Sequence, residues 1–100
     1  MKREVQILIP EEIEQKLSGK TNCKYREGKL ELDLDFDSYR EGIEFVNLVA
    51  KIAEDLDHHP EITIGYKKVR ICVFTHSHSS ITHLDFELME RIEALYSSSN

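Results

Sequence analysis

Four of the chain's five histidines lie between His58 and His78: His58 and His59 before Pro60, then His76 and His78 beyond an alternating run. Imidazole is the side chain whose unperturbed proton affinity falls nearest neutral pH. Such a group of rings could move protons, bind metal, or do nothing beyond solvating a loop. Glu54 stands four residues before His58, a spacing that lets carboxylate and ring meet on one helical face. A carboxylate so placed fixes the tautomer and raises the basicity of the ring, as general acid–base catalysis requires. His76-x-His78 puts two rings on one side if its strand runs that far, and with His58 makes a candidate metal set. Zinc sites, however, ask for three or four convergent ligands with supporting partners. His78 and His83 taken alone read as surface residues.

These side chains need elements to bring them together. Pro10 suits the first turn of a helix, where its missing N–H costs nothing. Glu11, Glu12 and Glu14 complement the dipole of that helix, Ile13 and Leu17 share a face, and Gly19 ends it. The stretch CKYREGKLELDLDF reads as a hairpin turning at Glu27-Gly28, with Leu30, Leu32, Leu34 and Phe36 alternating with charges. Asp37 or Ser38 caps a longer helix, along which Tyr39, Ile43, Val46, Val49 or Ala50, Ala53 and Leu56 recur. Pro60 disfavours helical geometry at His59 and stops it.

A second hairpin follows. Ile62, Ile64 and Tyr66 alternate, Lys67-Lys68 turn the chain, and VRICVFT returns with Val69, Ile71, Val73 and Thr75 on one side. Thr82 with Asp85 three residues on resembles a capping box for a last helix striped by Leu84, Leu88, Ile92 and Leu95. The order α-ββ-α-ββ-α implies an α+β layer: a four-stranded, mostly antiparallel sheet with helices on one face. Antiparallel pairing of the second hairpin sets His59-Pro60 beside Thr75-His76, so the imidazoles gather at one rim.

Composition narrows the function. A hundred residues suggest a single domain spanning 1–100, with 97–100 frayed. The formal charge of −6 argues against direct nucleic-acid binding, which needs clustered Lys and Arg, and Lys2 and Arg3 are too slight a basic start. No stretch has the length of a membrane span or of a signal-peptide core. Cys23 and Cys72, two isolated cysteines, fit a reduced cytoplasmic protein better than a disulfide framework, although one bridge remains compatible with the sequence.

The spacing then becomes diagnostic. Glu54, three residues, His58-His59-Pro60, five residues, Tyr66, nine residues, His76, eight residues, Asp85: this resembles the signature of the pterin-4a-carbinolamine dehydratases. The likeness extends through REGKLELDLDFDSYREGIEFVNLVAKIAEDLDHHP and LDFELMERIEAL, nearly the whole chain. The resemblance implies a lyase that dehydrates 4a-hydroxytetrahydropterin to quinonoid dihydropterin, needing neither metal nor organic cofactor, and assembled as a homodimer or homotetramer. It makes His58, His59 and His76 the active-site imidazoles and Asp85 the acidic residue beside them. His58 to Pro60 and Thr75 to His78, including Ser77, become the stretches that contact the pterin.

On that basis His58 is expected to be the principal acid/base, oriented by Glu54. His76 is its expected partner, oriented by Asp85, and His59 a hydrogen-bonding binder. Two departures stand out: Ser79-Ser80 replace a common Gly-Gly, and Cys23 replaces a common tryptophan. Other readings are a protein-binding module (a dimerisation cofactor or assembly factor, with Tyr39, Phe86 and Tyr96 as surface candidates) and a metal-binding protein using His58, His76 and His78.

Overall fold

The computed structural model describes residues 5–99; the basic start at Lys2 and Arg3, and Asn100, lie outside the described residues. Helix α1 spans Pro10–Leu17, strands β1 and β2 span Cys23–Arg26 and Lys29–Asp35, and helix α2 spans Tyr39–Leu56. Strands β3 and β4 span Glu61–Ile64 and Lys68–Val73, a 3-10 turn covers His76–His78, and helix α3 runs His83–Ser99. The chain is thus the expected α+β layer. All three strand pairs are antiparallel, in the order β1-β2-β4-β3.

Local chemistry explains the elements. Glu27 and Gly28 both take positive φ, the backbone that a two-residue hairpin turn requires. Ser38, not Asp37, caps α2: its hydroxyl accepts from the Glu41 N–H at 3.1 Å. On the inner sheet face Leu30, Leu32 and Leu34 of β2 meet Val69, Ile71 and Val73 of β4, all nearly inaccessible. Ile13, Phe45, Val49, Phe86, Leu88, Met89 and Ile92 from the three helices close over them.

Several expectations are corrected. The buried stripe of α2 is Gly42, Phe45, Val49 and Ala53, while Tyr39 is exposed, because the helix turns its 42–45–49 edge onto β4. Gly42 allows that approach: a Cβ there would stand 3.4 Å from Val69. Phe86 is core rather than surface. Tyr96 is engaged as well, with its ring against Phe36 and Phe45 and its hydroxyl donating to the Asp35 carbonyl. Strand β3 is an edge on which Ile64 stays exposed, and it ends there, leaving Tyr66 exposed in the turn that follows.

One pairing had no sequence signal. Residues 6–8 lie against 81–83: Leu8 N–H donates to Ile81 O, His83 N–H to Gln6 O, and Gln6 N–H to His83 Nδ1. Among the described residues no helix is long and apolar enough to cross a membrane.

Candidate active site

The register of the second hairpin places the site. Glu61 at the start of β3 faces Cys72 near the end of β4. The chain leading into β3, His58 to Pro60, therefore lies beside the chain leaving β4. How α2 ends fixes the angle at which His58 arrives. Asp57 adopts left-handed backbone (φ 50, ψ 44); its N–H reaches Glu54 O and the His58 N–H reaches Ala53 O. This is the Schellman arrangement, usually built on glycine. It swings His58 off the helix and away from Glu54.

Two carboxylate–imidazole pairs result, and they cross the expected pairing. His58 Nε2 lies 2.6 Å from Asp85 Oδ1, not beside Glu54. Glu54 Oε2 instead meets His59 Nε2 at 2.8 Å. Asp85 therefore does not orient His76, whose ring rests against Phe74 with centroids 4.0 Å apart. The two pairs differ in setting. The His58 side chain is 12% exposed and Asp85 fully buried, whereas His59 and Glu54 are 57% and 74% exposed.

Asp85 is the hub. Its Oδ2 accepts the Thr82 N–H and the Thr75 hydroxyl, each at 2.9 Å, while Oδ1 faces His58. The Thr82–Asp85 capping box anticipated from sequence is only half formed. The Asp85 carboxylate accepts the Thr82 N–H, but the Thr82 hydroxyl takes the Leu84 N–H while the Asp85 N–H goes to the Thr82 carbonyl. The carboxylate thus serves helix end and imidazole together. An ionised carboxylate can only accept, so a neutral imidazole bonded to it through Nε2 carries its proton there and has Nδ1 unprotonated.

Other predicted residues stand as follows. The buried Thr75 hydroxyl is directed at Asp85 rather than outward to a guest. Ser77 and His78 are exposed and bonded to each other, Oγ to Nδ1 at 2.8 Å. Strand β4 ends at Val73, so His76 and His78 sit on a 3-10 turn and do not share a side as strand neighbours would. The loop is pinned at its base by paired Thr75 and Ser80, and Ser79 within it takes left-handed backbone at φ 46. Among the described residues no three of His, Cys, Asp or Glu are placed to hold a metal ion, so the His58, His76, His78 set is not assembled. Two roles had no sequence signal: Phe74 as the platform for His76, and Thr82, read only as a helix cap, as a hydroxyl in the Asp85 network.

Fold and site together define an α+β protein with imidazoles on one sheet rim, one of them backed by a buried carboxylate. Comparison with known proteins gives that class a family. The model of the pterin 4 alpha carbinolamine dehydratases matches residues 6–95, and the chain belongs to this family. A protein of Acidobacterium capsulatum is 39% identical over 88% of this chain and 96% of its own length. One of Metallosphaera sedula is 33% identical over 88% and 92%. Both are designated, provisionally, pterin-4-alpha-carbinolamine dehydratases.

Among solved structures, a transcriptional coactivator/pterin dehydratase from Brucella melitensis superposes with a TM-score of 0.84 at 25% identity, covering 91% of this chain and 99% of that one. A pterin dehydratase-like protein described as a RuBisCO assembly factor in the alpha-carboxysome shares the fold at TM-score 0.61 and 21% identity, over 74% of this chain and 86% of that one.

Proposed function

We propose that this protein is a hydro-lyase that removes water from 4a-hydroxytetrahydropterin to give quinonoid dihydropterin. The observation that carries the reading is the buried His58–Asp85 pair at 2.6 Å, on the rim that also bears His59 and His76. The leaving group is the C4a hydroxyl, expelled as water once an acid protonates it. The N5 lone pair forms the C4a=N5 bond, and the N5 proton passes to a base. One proton enters and one leaves, so imidazoles near neutrality suffice, each contributing about 10²–10⁴-fold. Neither metal nor organic cofactor is required.

His58 acts through Nδ1 as the principal acid/base, with Asp85 taking the orienting part first assigned to Glu54. His76 is its partner across the pterin, and His59, held by Glu54, binds the ring by hydrogen bonds. Pro60, Ser77 and His78 border the guest. The substrate is met in the cytoplasm by a homodimer or homotetramer.

The test is the decay of 4a-hydroxytetrahydropterin with and without the protein, then with His58→Ala and His76→Ala. Acceleration by the unaltered chain, with turnover lowered in both variants, is expected. Unchanged turnover in both would remove the acid/base assignment. No acceleration at all would sink the enzyme reading in favour of a protein-binding role.

A further inference from the structure

Beyond the carboxylate lies a chain of hydroxyls. Thr82 Oγ1 is 2.7 Å from Thr75 Oγ1, Thr75 Oγ1 is 2.9 Å from Asp85 Oδ2, and Leu84 N is 3.2 Å from Thr82 Oγ1. Thr82 and Asp85 are inaccessible to solvent and Thr75 is nearly so. The order of donors follows from valence. A backbone N–H can only donate, an ionised carboxylate can only accept, and each hydroxyl has a single proton. Thr75 directs its proton at Asp85, so the proton between the threonines belongs to Thr82. Thr82 in turn accepts from Leu84. The sequence Leu84 N–H, Thr82 O–H, Thr75 O–H, Asp85 admits one direction.

Thr82 is also held from outside. Its N–H is fixed on Asp85 Oδ2, its carbonyl accepts from the Asp85 N–H, and it pairs with Ile7 of the N-terminal segment. Its hydroxyl therefore has little freedom to turn elsewhere. Three donors converge on Asp85 from three places: Thr75 after β4, Thr82 before α3, and His58 after α2.

We propose that Thr82 is a positioning residue for His58: through Thr75 it aims a hydroxyl proton at Asp85 Oδ2, which turns Oδ1 to the ring and keeps the ring proton on Nε2. In the reaction this leaves Nδ1 as the working nitrogen, a consequence that rests on the dehydratase reading. Aligned hydrogen bonds polarise one another, so loss of the first weakens the last. A threonine serving only as a helix cap would hold Leu84 N–H and have no hold on the imidazole three hydrogen bonds down the chain.

The experiment compares the unaltered full-length protein with Thr82→Val and Thr82→Ser. Ring ¹⁵N shifts of His58 are recorded without substrate, and kcat and KM for pterin dehydration with it. In the unaltered chain His58 is expected to show a protonated Nε2 and an unprotonated Nδ1. Thr82→Val should mix the tautomers and lower kcat about three- to tenfold with KM held, the scale of one lost hydrogen bond. Thr82→Ser should restore both.

A His58 proton on Nδ1 in the unaltered chain would overturn the proposal, and so would a folded Thr82→Val with the ring spectrum of the unaltered protein. The first measurement needs no variant, so it can overturn the proposal even if Thr82→Val fails to fold, and Thr82→Ser then carries the remaining comparison. If the protein does not dehydrate the pterin, the function reading falls and the ring spectrum alone decides this one.

Discussion

At the scale of the residue, two carboxylate–imidazole pairs of similar length have different consequences. Asp85 accepts from three donors inside the protein, and replacing it leaves each of them without its acceptor. Asp85→Asn presents one oxygen and an amide N–H₂, so at least one donor meets another donor. Unfolding free energy should fall by about 1–3 kcal/mol in urea melts, and dehydration should slow by about 10²–10⁴-fold as the ring loses its fixed tautomer. Glu54 and His59 are solvated, so Glu54→Gln should cost no more than about 1 kcal/mol. It should also slow turnover far less than Asp85→Asn. Equal losses in both variants would mean that burial does not separate the pairs. The candidates His58, His59, His76 and Asp85 were singled out by their spacing, but which carboxylate meets which ring was not legible there. A four-residue interval assumes that the helix continues, and the left-handed Asp57 ends it one residue before His58.

At the scale of the element, the site hangs on two left-handed corners that lack glycine: Asp57, which turns the chain out of α2, and Ser79, which closes the loop after His76. An L-residue there carries a steric cost of about 1–2 kcal/mol, partly offset by the extra unfolded-state entropy of a replacing glycine. Ser79→Gly should therefore stabilise the protein by about 0.5–1 kcal/mol, raising Tm by roughly 2–8 °C in a chain of this size. Asp57→Gly should gain at least as much. No basic residue lies in the last turn of α2, where the negative end of the helix already disfavours an acidic side chain. A fall in Tm for either variant would mean that the side chain, not the backbone, holds its corner. Replacement of a common Gly-Gly by Ser79-Ser80 had marked one corner in the sequence. The other had no signal, because aspartate is compatible with an ordinary helix end as well.

At the scale of the whole molecule, alternation along the strands showed which residues face inward, but not that β4 lies between β2 and β3. Any order of two hairpins buries the same leucines and valines, and the choice is made by α2 crossing above β4 to reach the edge strand. The sheet then separates the two cysteines. Cys23 is on the inner face against Met89. Cys72 is on the outer face, in the row with Glu31 and Glu61. Burial, with Glu93 adding to it, pushes the Cys23 thiol up to about 12 from 9.0. Burial and then Glu31 raise Cys72 as well. For Cys23 the folded value exceeds the unfolded one, so its contribution is fully present below pH 9.0. It is lost as pH rises toward about 12, because the unfolded chain gives up its proton first. Tyrosines and lysines titrate in the same window, so the informative quantity is the difference between the unaltered protein and Cys23→Ala. Stability of the unaltered chain should fall more steeply between pH 9 and 12. Thiol reagents add a second reading at pH 8, where only thiolate reacts. Cys72 should label in the native protein, and Cys23 only once it unfolds. Native labelling of Cys23 at the rate of Cys72 would mean that the inner face opens to water without global unfolding, and the alkaline difference should then vanish with it.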